Sequence, residues 1–364
     1  MLEALAFHSL RIRSVRPETE AAVHVVFDVS EALKTTFNFR PGQYLTLRAQ
    51  IDGHDLRRAY SICAGSDEGE LAVGVKRIQG GVFSNWLNDH ALPGFIVEVA
   101  PPQGTFCAGI RADHAASYCF LASGSGITPI LSNIASILAV EKDSRVTLLY
   151  ANQRLSTMMY RERLAFLKNA HLSRFHWVNL FSREDQGADI LNGRLNNRKG
   201  ADLNRRLIDL AAFDEFFICG PESMLSEVSR GLRQFGIPDQ RVHVELFAAS
   251  AEDARQMLAR RQARAEAHAG KNSRVTIIRD GRSMVLNVAA DGENILDAGL
   301  AEGLDLPFSC KGGVCSTCKA RLVRGEVDMD ITHGLTEEER EAGLVLTCQA
   351  HPLTAEVTID FDQR

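Results

Sequence analysis

The residues best placed to do chemistry lie near the end of the chain. Cys310 is followed after four residues by Cys315, after two more by Cys318, and Cys348 stands twenty-nine residues further on. Four thiolates in this spacing suit a 2Fe–2S cluster: one loop wraps the iron and aims three sulfurs inward, and the fourth arrives from a later element. Gly312 and Gly313 lie in that loop, where positive φ lets backbone amides approach the sulfides. Structural zinc would more usually show two paired knuckles, and the Cys315/Cys318 pair has no counterpart. Reduced core cysteines would need no spacing at all. Cys63, Cys107, Cys119 and Cys219 are isolated, so a reducing compartment with four metal ligands fits better than disulfides.

Other segments carry chemistry of a different kind. Gly124-Ser125-Gly126-Ile127-Thr128-Pro129 follows the apolar run Tyr118–Ala122 and opens a helical stretch. In that setting, helix-end amides can receive a pyrophosphate. It is not G-x-G-x-x-G, so the generic dinucleotide fingerprint does not cover it. Arg57-Arg58-Ala59-Tyr60-Ser61-Ile62 combines a fixed charge, a flat aromatic and a hydroxyl on one predicted strand. Gly80-Gly81-Val82-Phe83-Ser84 offers amides at a helix start, and Cys219-Gly220-Pro221 follows another apolar run. The eleven histidines are scattered without metal-ligand spacing, and no acid–base dyad is evident.

These residues need elements to hold them. Up to about residue 110 the chain reads as short strands, among them Ala22 to Val29, Tyr44 to Ala49, Leu71 to Lys76 and Phe95 to Val99. Arg40-Pro41-Gly42, Asp52-Gly53 and Pro102-Gln103-Gly104 punctuate them, which predicts an antiparallel barrel. Residues 111–247 alternate apolar strands with helices, the rhythm of a doubly wound parallel sheet. Residues 248–272 are rich in Ala, Arg and Glu and read as a solvated helical linker, the alternative being that its basic residues touch an acidic partner. The last domain, 273–364, has two strands, a helix near Asn294–Glu302 and then the cysteine loop. From Asp291 to Arg364 it carries 15 acidic and 6 basic residues, a solvated surface or an acidic docking face.

With 364 residues, 45% hydrophobic and 24% charged, the chain is globular, and a net charge of −5 does not suggest a nucleic-acid or membrane partner. The uncharged run from Ala115 to Val140 is interrupted by Gly124, Gly126 and Pro129 and is too broken to span a bilayer. The N-terminus lacks a secretory pattern, so a cytoplasmic location is expected.

Arg58-Ala59-Tyr60-Ser61 resembles the R-x-Y-S motif of the ferredoxin–NADP reductase superfamily. The resemblance covers nearly the whole chain, in the order flavin barrel, nicotinamide domain, plant-type β-grasp ferredoxin. It implies that Arg58 pairs with a phosphate of FAD, that Tyr60 lies on the isoalloxazine and that Ser61 bonds its hydride-accepting edge. Gly81 and Ser84 would hold the flavin diphosphate. Gly124, Gly126, Thr128 and Pro129 resemble the family's G-x-G-x-x-P nicotinamide-nucleotide loop, and Cys219-Gly220 its C-G-P segment beside the nicotinamide. Ser182 and Arg183 match the pair that holds the 2′-phosphate of NADPH. Phe247 would cover the other flavin face as a displaceable lid, or serve only as core at a domain seam.

Within the superfamily, Met158-Met159, the Cys-Lys-Gly-Gly-Val-Cys loop and the tail Gln349–Thr354 are similar to reductases of multicomponent oxygenases. The implied activity is electron transfer from NADPH through FAD and a 2Fe–2S cluster ligated by Cys310, Cys315, Cys318 and Cys348. The implied partner is an oxygenase, in the first place the diiron phenylacetyl-CoA epoxidase of phenylacetate degradation. Another diiron or Rieske oxygenase, or a desaturase, is the alternative. A redox sensor would need no hydride entry path, so the flavin and nucleotide motifs argue against one.

Overall fold

A computed structural model describes residues 6–247, 263–264, 266–268, 270–308, 311–313, 316–332 and 334–363. The chain divides into two compact units, the first Phe7–Ala248 and the second built mainly on Ala249–Arg364.

The first unit contains two sheets. Strands β1 (His8–Thr19), β2 (Ala22–Asp28), β3 (Tyr44–Ile51), β4 (His54–Ser61), β5 (Leu71–Lys76) and β6 (Ile96–Val99) form one sheet in the order β4-β3-β6-β1-β2-β5. Every pairing is antiparallel, and a bridge between Ile62 and Val73 brings the two edges together as a barrel. Closure leaves no open edge to template aggregation. Helix α1 (Val82–His90) lies on the barrel and buries Phe83, Ser84 and Leu87.

The second sheet comprises β7 (Ser117–Ser123), β8 (Arg145–Asn152), β9 (Phe175–Phe181), β10 (Glu215–Gly220) and β11 (Val242–Leu246), in the order β11-β10-β7-β8-β9. All of its pairings are parallel. The strand order reverses between β7 and β10, and in doubly wound sheets ligands bind at the carboxyl ends of the strands beside such a reversal. Helices α2 (Ile127–Val140), α3 (Arg161–Ala170), α4 (Asn197–Arg206) and α5 (Glu222–Gln234) connect the strands.

The uncharged run flagged in the sequence is β7 plus α2, a helix buried from Ile127 through Leu138. Its polar side chains bind barrel backbone. Ser132 Oγ donates to Ala64 O (2.6 Å), Asn133 Nδ2 donates to Phe106 O (3.2 Å), and Asn133 Oδ1 accepts from Ala108 N (2.9 Å). The helix therefore joins barrel and parallel sheet, satisfying backbone groups that burial would otherwise strand. No helix of the described residues is long and apolar enough to cross a membrane.

In the second unit, strands β12 (Asn272–Arg279), β13 (Arg282–Ala289), β14 (Lys319–Arg324), β16 (Leu344–Leu346) and β18 (Glu356–Asp360) form a mixed sheet in the order β13-β12-β18-β14-β16. A separate two-stranded ribbon pairs β15 (Val327–Met329) with β17 (Ala350–Pro352). Helix α6 (Ile295–Ala301) buries Ile295, Leu296 and Gly299, and α7 (Glu337–Glu341) starts with a capping box from Thr336. Most of the expected linker, 248–262 with 265 and 269, lies outside the described residues, and of those described Arg264 departs from a solvated reading: it is buried and ion-paired to Asp328 and Asp330. Alanine- and arginine-rich composition alone gives no sign of that.

Candidate redox-cofactor sites

The carboxyl ends of β7 and β10 carry several of the residues singled out from the sequence. Gly124-Ser125-Gly126 makes a single tight turn into α2. A Cβ on Gly126 would lie 2.4 Å from Cys219 O, so only glycine lets this loop rest on the Cys219–Gly220 backbone. Tyr150 Oη donates to Gly124 O (2.9 Å) and Thr128 Oγ1 to Ser125 O (3.1 Å), which fixes the loop's shape. Pro129 sits in the first turn of α2, where no intrahelical N–H is missed.

Sequence patterning does not mark Lys76, which the fold brings to this loop. It ends barrel strand β5, and its Nζ lies 3.9 Å from where a Gly124 Cβ would be. It has no hydrogen-bond or ion-pair partner among the described residues, and burial pulls its pKa below the usual lysine value. An unpaired, half-buried ammonium beside a glycine loop suits the diphosphate of a nucleotide. The signal in the sequence is a single lysine at a strand end, which pattern reading does not distinguish from a solvated one.

Arg58, Tyr60 and Ser61 lie on β4, in register with Leu47, Leu45 and Tyr44 of β3. Arg58 Nη1 donates to Arg57 O (2.7 Å) and meets no carboxylate among the described residues, so its charge is available to a phosphate. Tyr60 packs on Phe83 at 6.0 Å between ring centroids, and burial raises the pKa of its hydroxyl further above the ordinary value. Gly81 caps α1 with no side-chain acceptor, which leaves first-turn amides without an intrahelical partner. Ser84 is buried beneath, its Oγ accepting from Ile78 N (3.2 Å).

Ser61 Oγ donates to Glu245 Oε1 at 3.0 Å, which brings barrel and parallel sheet together. Glu245 stands opposite Cys219 in the β10–β11 register. Cys219 is fully buried, and burial first, then the nearby Glu245 charge, raises its thiol pKa well above the usual value. Such surroundings disfavour the thiolate that a nucleophilic cysteine needs. Phe247 N donates to Gly220 O (2.9 Å), and the Phe247 side chain packs on the core of this unit. In the sequence, Glu245 is visible only as part of the Glu-Leu-Phe segment. Its contact to Ser61, 184 positions away, is a tertiary fact.

Ser182 and Arg183 follow β9. Ser182 N donates to Asn152 O (3.0 Å) and Arg183 N to Gln153 O (2.9 Å), pinning this loop to the one after β8. The Arg183 side chain is exposed and carries no ion pair among the described residues.

In the second unit, Cys318 and Cys348 are both buried, while Cys310 and Cys315 lie outside the described residues. The loop between is tightly wound: Lys311, Gly313 and Ser316 all have positive φ. A Cβ on Gly313 would lie 2.8 Å from Gln349 Cγ and 2.9 Å from Ile331 Cγ2. Gln349 Nε2 donates to Lys311 O and Cys348 O, both at 2.9 Å, and lies 3.5 Å from Cys348 Sγ. Thr347 Oγ1 donates to Cys318 O (2.9 Å). A left-handed loop braced by amides around soft thiol donors fits an iron–sulfur cluster.

Comparison with known proteins agrees with this geometry. Residues 15–107 match the oxidoreductase FAD-binding domain, 120–230 the oxidoreductase NAD-binding domain and 277–353 the 2Fe-2S iron-sulfur cluster binding domain. Over 358 residues the sequence is 42% identical to a component of the 1,2-phenylacetyl-CoA epoxidase of Escherichia coli K12, covering 98% of each chain. The chain belongs to the oxygenase reductases of the ferredoxin–NADP reductase superfamily. A second member of this group of reductases, the ferredoxin reductase component of 3-ketosteroid-9-alpha-monooxygenase from Rhodococcus rhodochrous, is 32% identical over 97% of this chain and 96% of its own. Phthalate dioxygenase reductase shares the fold, with a TM-score of 0.60 over 98% of both chains at 23% identity. This reductase is thus an oxidoreductase component with flavin, nicotinamide-nucleotide and 2Fe–2S domains, and it serves an oxygenase.

Proposed function

We propose that this reductase takes hydride from NADPH in preference to NADH and delivers electrons to a diiron oxygenase that epoxidises phenylacetyl-CoA. The partner reading is carried by the 42% identity, along nearly the full length, to the epoxidase component. The nucleotide preference is supported by Arg183, an exposed guanidinium beside Ser182 with no ion pair among the described residues, which suits a 2′-phosphate.

When bound, the flavin accepts electrons as a pair and the cluster passes them singly, so the two together convert a hydride into one-electron steps. The protein's own work is binding and positioning. Arg58, the Gly81 amides and Ser84 would hold the flavin diphosphate, and Tyr60 would offer an aromatic face to the ring. Gly124, Gly126, Thr128 and Pro129 cradle the nucleotide diphosphate, with Lys76 supplying charge. Ser61, oriented by Glu245, would hydrogen-bond the flavin. Cys219 and Gly220 would give the nicotinamide a small, uncharged floor, and Phe247 would lie at the seam where the nucleotide enters. Cys310, Cys315, Cys318 and Cys348 ligate the cluster.

Two measurements test this reading. The ratio of kcat/KM for NADPH over NADH should favour NADPH by tenfold or more; equal values would refute the preference. Re-oxidation of the reduced protein should be faster with a phenylacetyl-CoA epoxidase core than with a Rieske oxygenase core. The reverse order would assign the partner to the Rieske oxygenases instead.

A further inference from the structure

We infer that Arg264 is a positioning residue for electron transfer: it anchors the chain joining the two units to the ribbon that braces the cluster loop. Arg264 Nη1 lies 2.6 Å from Asp330 Oδ1 and 3.0 Å from Asp328 Oδ2, with the side chains of Arg264 and Asp330 only 6% and 1% exposed. Residues 263–264 and 266–268 are helical, so this anchor sits in helical backbone ahead of β12.

The anchor's partners lead to the cluster loop. Asp328 pairs with His351 across the β15–β17 ribbon, and Asp330 Oδ2 is 3.3 Å from His351 Nε2. Asp330 N donates to Gln349 O (3.1 Å), and the Gln349 side chain in turn bonds Lys311 O and reaches Cys348. A buried ion pair is weak support for stability, because hydrophobic groups of similar size would serve as well. What it supplies is a unique register, fixing where the connecting chain leaves the ferredoxin unit.

That exit point sets the cluster's reach. From Phe247 to Arg264 the connection has about 16 residues, at most ~55 Å when extended. Without the anchor, the first fixed strand residue is Asn272, and the connection grows to about 24 residues and ~85 Å. Effective concentration falls roughly as the −3/2 power of tether length, so release costs about twofold in encounters between flavin and cluster. Loss of a defined exit direction adds to this.

The test uses the full-length holoprotein. In R264Q, anaerobic stopped-flow should show cluster reduction slowed at least about twofold, with flavin reduction and the cluster's EPR g-values unchanged. R264K keeps one bridging cation and should restore the wild-type rate. A second readout is independent of turnover: trypsin should spare the bond after Arg264 in the wild type and cut there at least tenfold faster in D330N. Should R264Q fold poorly, the R264Q/D330N pair removes both buried charges and is read in the same way. An unchanged cluster-reduction rate in R264Q overturns the inference. So does a lost or shifted EPR signal in both R264Q and the double variant, or equal cleavage after Arg264 in wild type and D330N.

Discussion

Ser61 Oγ and Glu245 Oε1 meet at 3.0 Å, one from the barrel strand that carries Tyr60 and the other from the last strand of the nucleotide sheet. Neither domain alone would hold this hydroxyl in a fixed orientation. A hydrogen bond to a charged group contributes about 1.5–3 kcal/mol, which in a rate corresponds to roughly tenfold to a hundredfold. Glu245→Gln and Ser61→Ala should each slow flavin reduction by that factor while leaving the nucleotide Kd nearly unchanged. Stopped-flow reduction at saturating nucleotide gives the rate, and its concentration dependence gives the Kd. An unchanged rate would remove Ser61 from the reaction.

Lys76 gives a pH prediction. Its charge serves the nucleotide diphosphate only while protonated, and burial places its pKa below that of an ordinary lysine. Nucleotide KM should therefore rise with pH earlier than lysine titration would suggest. Lys76→Arg should move that rise upward, because guanidinium stays charged. Lys76→Met should raise KM tenfold or more with little change in kcat, and should not lower thermal stability, since a half-buried unpaired cation is removed. A KM unaffected by the methionine would contradict the assignment.

Arg183→Ala should reduce kcat/KM for NADPH by tenfold to a hundredfold and leave the value for NADH unchanged. Steady-state kinetics with both nucleotides decide this. A parallel loss for both would mean that Arg183 supports the loop and not the 2′-phosphate.

How much of this was legible in the chain alone depends on how local each feature is. The cysteine spacing and the Gly124–Pro129 turn are local, and the described residues of the segments carrying them fold as their patterns require. Strand β1 is different: charged residues recur along it, and register shifts near Ile12 and Pro17 break the alternation that betrays a strand. Lys76, Glu245 and Arg264 acquire meaning only from neighbours distant in sequence. The arginine in particular is hidden by a composition that reads as solvated helix.

The seam between barrel and nucleotide sheet predicts acid sensitivity. His24, only 2% exposed, lies 3.2 Å from Tyr160 Oη, which also donates to Cys63 Sγ at 3.3 Å. Burial, with added repulsion from Arg16 and Arg163, lowers the His24 pKa to about 4 from an ordinary 6.5. The folded protein thus binds this proton more weakly than the unfolded chain. Stability from this group is complete above pH 6.5 and is lost as pH falls toward 4, on the order of 3 kcal/mol in all. His24→Gln should flatten the unfolding midpoint across that window. An equally steep profile in the variant would place the acid sensitivity elsewhere.

The most direct test of the reductase's role is reconstitution with a purified phenylacetyl-CoA epoxidase core, NADPH, oxygen and phenylacetyl-CoA. Epoxide should form only in the complete mixture, with one NADPH consumed per product formed. NADPH oxidation that proceeds at the same rate with or without the oxygenase, and yields no epoxide, would contradict it.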